Sequence, residues 1–234
     1  MDENHAVNTT RIALHRVATH VLARARHAAT GKFGLRATPG GFGTPAFGPD
    51  VEVLRVAGTS LVRESAGQAI STPINGSSLQ ALAAFAHTDL DAPFSAGHDT
   101  PEMGEPSAPL TIDASDALVI AEWLHLGWCV LDTASALASD AMAIQLWPEH
   151  FDAGTSVAVG DGENDRCNLG ASPGDSFTDE PYLYVGPWGA DRPGDASYWN
   201  APFGAYVTRS ELLRAGDPLA AGVAFVERGV ALLR

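Results

Sequence analysis

The residues best suited to chemistry lie on two segments of the chain. Glu122 and His125 stand at i and i+3 within a long apolar stretch that reads as helix, so both project from one face, and Cys129 and Asp132 extend the same stripe. His150 and Asp152 flank Phe151 in the run Gln145-Leu-Trp-Pro-Glu-His-Phe-Asp152, and in an extended segment they point to the same side. If the two segments run side by side, the four residues form two imidazole–carboxylate pairs. Such a pair orients an imidazole and raises its basicity, as a general base near neutral pH requires, or a metal ligand with its supporting partner. The same residues also describe a buried hydrogen-bond network that only fixes packing, because an unsatisfied buried polar group costs about 1–3 kcal/mol. A catalytic or ligand-binding site, a mononuclear metal and a structural network all stay open on this pattern.

Aromatic residues supply the walls such a site needs. Trp147 belongs to the first run, and Pro181-Tyr-Leu-Tyr-Val-Gly-Pro-Trp188 is followed by Tyr198, Trp199 and Phe203. Alternation puts Tyr182 and Tyr184 on one face of a strand. With Trp147 and Trp188 they suit a small flat or apolar ligand, and they suit a hydrophobic core with wet edges equally well.

Other motifs stop short. A di-iron bundle needs two Glu-x-x-His copies and further glutamates, and this chain has one copy. Asp161-Gly-Glu-Asn-Asp165 begins like a calcium loop, but Arg166 replaces its glycine and Ser172 its closing glutamate. Neither a phosphate loop nor a Gly-x-Ser-x-Gly elbow is present. No metal and no cofactor is therefore expected.

The elements that must position these residues follow from periodicity. Residues 10–29 read as an amphipathic helix ended near Gly31, with Arg16, His20, Arg24 and His27 along its other side. That basic stripe is an anion site or a solvated face answering acidic neighbours, and Arg24 between two imidazoles argues against a metal. Strands are expected over 33–36, 51–56 and 60–63, the last two as a hairpin. The glycine-rich residues 38–47 read as an irregular loop whose Phe42 and Phe47 either cap a pocket or pin the loop to the core. After a short helix from Ser77-Ser78 to about His87, residues 88–110 are acidic and rich in Pro, Gly and Ser, and read as a surface linker.

The helix beginning at Asp113 and running to about Ser139 is the most apolar element and is expected to be buried almost all round. Strands are expected at 141–146, 156–159, 182–185 and 205–207, with a loop over 160–179. Asp217-Pro218 opens a closing amphipathic helix to Leu233. Grouped rather than alternating elements predict an α+β fold: a largely antiparallel sheet packed with a buried central helix and with N- and C-terminal amphipathic helices, in one domain over 1–234.

Over most of the chain, Gly34-Leu-Arg-Ala-Thr-Pro-Gly-Gly, the acidic hairpin, the long helix, Trp147 with Phe151-Asp152, Asp179-Glu-Pro-Tyr-Leu-Tyr184 and the Asp-Pro-started helix resemble an uncharacterised bacterial family of domains of unknown function. The resemblance implies a single α+β unit and lends weight to the segments around Trp147 and Tyr184. It implies no reaction.

Composition sets outer limits. The 234 residues are 45% hydrophobic and 18% charged, which supports a sizeable core. A net charge of −14 repels phosphate backbones and anionic lipid, so neither nucleic acid nor membrane is an expected partner. The polar residues 1–10 carry no leader signal and no uninterrupted apolar run reaches spanning length, which predicts a soluble cytoplasmic protein whose two cysteines stay reduced. The oligomeric state stays open. Two functions fit: an enzyme acting on a small molecule through His125 or His150 as general base, oriented by Glu122 or Asp152, or a non-catalytic small-molecule-binding or protein-interaction module in which those residues satisfy one another.

Overall fold

The computed structural model describes residues 3–97, 99–138 and 140–234, with side chains from residue 8 onward. The fold is α+β, with two antiparallel five-stranded sheets and helices before, between and after them. The chain divides into two compact units, Met1–His125 with Leu146–Phe151, and Leu126–Gln145 with Asp152–Arg234.

In the first unit, α1 (Glu3–Val17) continues through a π-helical turn (Ala18–Ala23) into α2 (Arg24–Thr30). The helix stops at Gly31, whose φ of 70° is left-handed and lets its N–H reach the His27 carbonyl, a conformation that glycine adopts without a Cβ clash. Leu14, Val17, Val21 and Leu22 form its buried side, and burying each such side chain stabilises by about 1.5–3 kcal/mol. Strands β1 (Arg36–Thr38), β2 (Gly41–Gly43), β3 (Val53–Ala57), β4 (Ser60–Ser65) and β5 (Gln68–Pro73) follow as a meander in sequence order. Leu54 and Val56 alternate inward on β3 with Leu61 on β4, as period-two burial requires. Two strands depart from expectation. β2 lies inside the glycine-rich stretch expected to be irregular, and β5 is an exposed edge strand without an apolar face to announce it. Helix α3 (Leu79–Phe85) begins at Ser78, whose hydroxyl accepts from the Ala81 N–H at 3.1 Å.

Helix α4 (Ala114–Ala136) starts where Asp113 accepts from the Ser115 and Asp116 N–H groups, and it passes from the first unit into the second. Trp123, Leu124, Val130 and Leu131 are buried, but Leu118, Glu122, His125 and Asp132 are exposed and Cys129 is half-buried. The expectation of burial all round is therefore corrected. These positions recur at three and four residues, so the polar stripe is simply the solvated face of an amphipathic helix. The expected end at Ser139 lies outside the described residues. By length and composition alone α4 could cross a membrane, contrary to the reading that no segment is long enough, and 50% of that stretch is buried inside the protein, as in a core helix.

The second unit carries β7 (Asp152–Ala158), β8 (Arg166–Ser172), β9 (Tyr182–Pro187) and β10 (Ala205–Thr208) in the order β10-β9-β8-β7, while β6 (Gln145–Trp147) begins in this unit and ends in the first. One face of this meander is apolar. Ala153, Val157, Cys167, Leu169, Ala171, Leu183 and Val185 are buried there. Small residues let helices approach it closely: Gly127 of α4 sits against Ala171, and Gly222 and Gly229 of α6 (Pro218–Leu233) sit against Leu183 and Val185. β8 occupies a stretch expected to be loop. Short α5 (Arg209–Leu213), held by a capping box from Thr208 and Glu211, was not expected either, while α6 begins as predicted with Asp217 as cap and Pro218 in the first turn.

Candidate functional site

Of the four residues expected to pair as imidazole and carboxylate, three are exposed and one, Asp152, is buried. Glu122 and His125 lie on the solvent-facing stripe of α4. His150 is exposed as well, with Nδ1 3.2 Å from an Asp99 carboxylate oxygen that is itself half exposed. Trp147 is half-buried and meets Phe33 edge to face, with centroids 6.4 Å apart.

The extended conformation that would align His150 with Asp152 is broken at Phe151, whose φ of 56° is left-handed. That conformation costs an ordinary residue roughly 1–2 kcal/mol. Burial offsets it: Phe151 is 1% exposed, stacks on His15 at 5.2 Å and meets Phe42 edge-on at 5.0 Å. Its N–H closes a turn on the Trp147 carbonyl at 2.7 Å.

Asp152 begins β7 and is buried, and its Oδ2 accepts the Tyr184 hydroxyl at 2.6 Å. A phenol is thus one of its partners. The polar face of the second sheet repeats this chemistry, because Tyr182 donates to Asp175 at 2.7 Å and Tyr182 and Tyr184 lie 6.2 Å apart, centroid to centroid. Phe177, Phe203 and Tyr206 pack around Tyr182. Burial pushes both phenols well above their ordinary range, and the neighbouring carboxylates push them further. They are hydrogen-bond donors and stay protonated. The expectation that Tyr182 and Tyr184 share a face is met, whereas Trp188 is exposed with its indole N–H on the Asn168 side chain at 2.7 Å. Among the described residues, no group of three His, Cys, Asp or Glu side chains is placed to hold a metal ion.

The first unit contains a cavity of about 620 Å³ that the sequence did not assemble. Its contributors come from four places: Arg24 and His27 of α2, Phe47 and Glu52 before β3, His87 and Thr88 after α3, and Phe94 of the 88–110 segment. That segment is a strap laid along the basic stripe of the first helix. Arg16 donates to the Met103 carbonyl, His20 Nε2 to the Pro101 carbonyl at 2.8 Å, and Arg24 Nη1 to the carbonyls of Asp89 and Ala92. Most of the stripe is therefore not a solvated face, because neutral main-chain oxygens of the strap cover Arg16, His20 and Arg24.

Arg24 is 7% exposed and its guanidinium lies 5.2 Å from the Phe94 ring centre, while His27 meets the same ring edge-on at 5.3 Å. Burial lowers the pKa of Arg24, and Asp89 and Asp91 act in the opposite direction. Glu52 is neutralised by Arg63 at 2.9 Å, and Arg63 also lies 3.1 Å from His87 Nε2. Since a guanidinium only donates, His87 accepts there, which fixes its other ring nitrogen as an N–H. His87 itself has a left-handed φ of 54°. Thr88 adds a buried hydroxyl with no partner among the described residues.

Arg24, His27 and Phe47 each stood out in the sequence for separate reasons. Glu52, Arg63 and His87 did not, and only the strap's docking brings them to one place. No protein-family model, curated protein or solved structure matches the chain.

Proposed function

We propose that the protein binds a small molecule, without transforming it, in the cavity of its first unit. The observation that carries this reading is the cavity itself: about 620 Å³ with two phenylalanines, two imidazoles and a buried guanidinium on its walls. Its volume falls within the range of ligand sites, and a mostly apolar wall with a few convergent polar groups is how such sites are lined. His87 is disfavoured as a general base there, because the ring nitrogen that accepts from Arg63 is already occupied. The enzyme reading built on Glu122, His125, His150 and Asp152 loses support from the exposure of the first three. A cytoplasmic protein fits two cysteines that are not joined to one another, and the net charge of −14 argues against nucleic acid or anionic membrane as partner.

A fragment screen by ligand-observed NMR tests the proposal when run beside Ala28→Trp. Ala28 lines the cavity and is exposed, so a bulky side chain can fill the space from the surface without repacking the core. Fragments that bind the natural protein and lose binding in the variant support the reading. No bound fragment, or binding indifferent to the variant, overturns it.

A further inference from the structure

Resting on that reading, we infer that the ligand of this cavity is a small carboxylic acid with a flat or apolar body, its carboxylate received by Arg24 and its body lying against Phe47 and Phe94. Arg24 carries a full positive charge in a side chain more than nine-tenths buried, yet its hydrogen-bond acceptors are the uncharged carbonyls of Asp89 and Ala92. No carboxylate lies within ion-pair distance of it among the described residues, and its Nε–H has no acceptor there. A guanidinium presents five N–H donors in a fixed fork and cannot shed its charge, so an anion in the cavity answers a charge that the neutral carbonyls leave without a counterion.

The neighbouring acids do not fill that role. Glu52 is bound by Arg63. Asp89 is exposed and accepts the Asp91 N–H at 2.9 Å. An amine or metal cation would meet the repulsion of Arg24. A phosphate would bring up to two negative charges to one guanidinium, whereas a monocarboxylate matches it in charge and in planar geometry. Polar groups of His27, Glu52, His87, Thr88 and Asp89 share the wall with Ala25, Ala28, Ala86 and Ala92, and the alanines beside the two rings leave an apolar surface that favours a flat apolar body.

The test pairs acids with their amides. Benzoate, phenylacetate and indole-3-acetate are titrated against the matching amides by calorimetry at neutral pH, using the natural protein, Arg24→Met and Ala28→Trp. We expect at least one acid to bind about tenfold or more tightly than its amide, the advantage to vanish in Arg24→Met, and both ligands to be lost in Ala28→Trp. An amide that binds as well as its acid, or an advantage that survives Arg24→Met, overturns the carboxylate assignment and leaves cavity binding standing if Ala28→Trp still blocks it. Absence of binding by every acid and amide, or binding indifferent to Ala28→Trp, overturns both. Should Arg24→Met fail to fold, the acid-to-amide ratio in the natural protein decides alone, with a ratio near one overturning the assignment.

Discussion

Tyr184 lies across Gly170, its direct partner on the neighbouring strand, so closely that a Cβ at position 170 would overlap the phenol ring. The glycine is thus a requirement of the ring's position, and the ring's position delivers its hydroxyl to Asp152.

Gly170→Ala should cost about 2–3 kcal/mol by overpacking a buried face. Urea unfolding checks the magnitude, and pairing the change with Tyr184→Ala checks the cause. With the ring removed, the methyl has room and the second substitution should recover part of the loss. Two costs that simply add would show that the ring is not what the methyl strikes.

Acid should weaken the fold through the first helix. Burial holds His15 down at about 4, against an ordinary value of 6.5, despite its hydrogen bond to the Pro148 carbonyl. His20 is lowered as well, by burial first and then by Arg24 and Arg16. Folded values below the unfolded one mean that protons bind the unfolded chain more tightly. This stabilisation is complete above about pH 6.5 and is lost as pH falls from there toward about 4, with His15 alone contributing roughly 3 kcal/mol. Denaturant midpoints measured down the pH scale check it. His15→Phe, which can keep the stack on Phe151, should flatten the acid limb; an equally steep limb in that variant would place the sensitivity elsewhere.

The stripe on α4 makes the opposite prediction. Glu122→Gln and His125→Gln change exposed side chains, so each should shift stability by no more than about 0.5 kcal/mol. Thermal melts are sufficient. A loss of several kcal/mol in either would mean that the residue supports a packed network after all.

Charge gives a fourth expectation. At −14 the protein should show no binding to duplex DNA or to anionic vesicles at physiological salt. Submicromolar, sequence-independent binding in a mobility-shift assay would contradict it. The basic stripe offers little to so large a partner, because the strap covers Arg16, His20 and Arg24.

What the sequence made legible follows its period. Leu54 and Val56 announced β3, and the apolar spacing of residues 14–22 announced the first helix, because one buried face leaves a rhythm. On β8 the rhythm was present too, in Cys167, Leu169 and Ala171, but glycine, serine and asparagine on the other face gave the stretch a loop's composition. Glu122 and His125 show the reverse error: the spacing was right and its phase relative to the core was not, since a stripe at helical spacing fits the inner and outer faces alike. The cavity was illegible for a deeper reason. Its strap is fixed by main-chain oxygens, which every residue carries, so no side-chain pattern could mark where Arg24 or His20 would find acceptors.

That mode of attachment also separates two kinds of variation. A carbonyl group is the same whichever side chain accompanies it, so most strap positions can be exchanged without disturbing the bonds from Arg16, His20 and Arg24. An inserted or deleted residue is another matter, since it would slide every later carbonyl out of register with a cation fixed on a rigid helix. Phe94 apart, whose ring meets Arg24 and His27, the segment is thus tolerant of rewording and intolerant of editing, and its count of residues between Asp89 and Met103 carries structural information of its own.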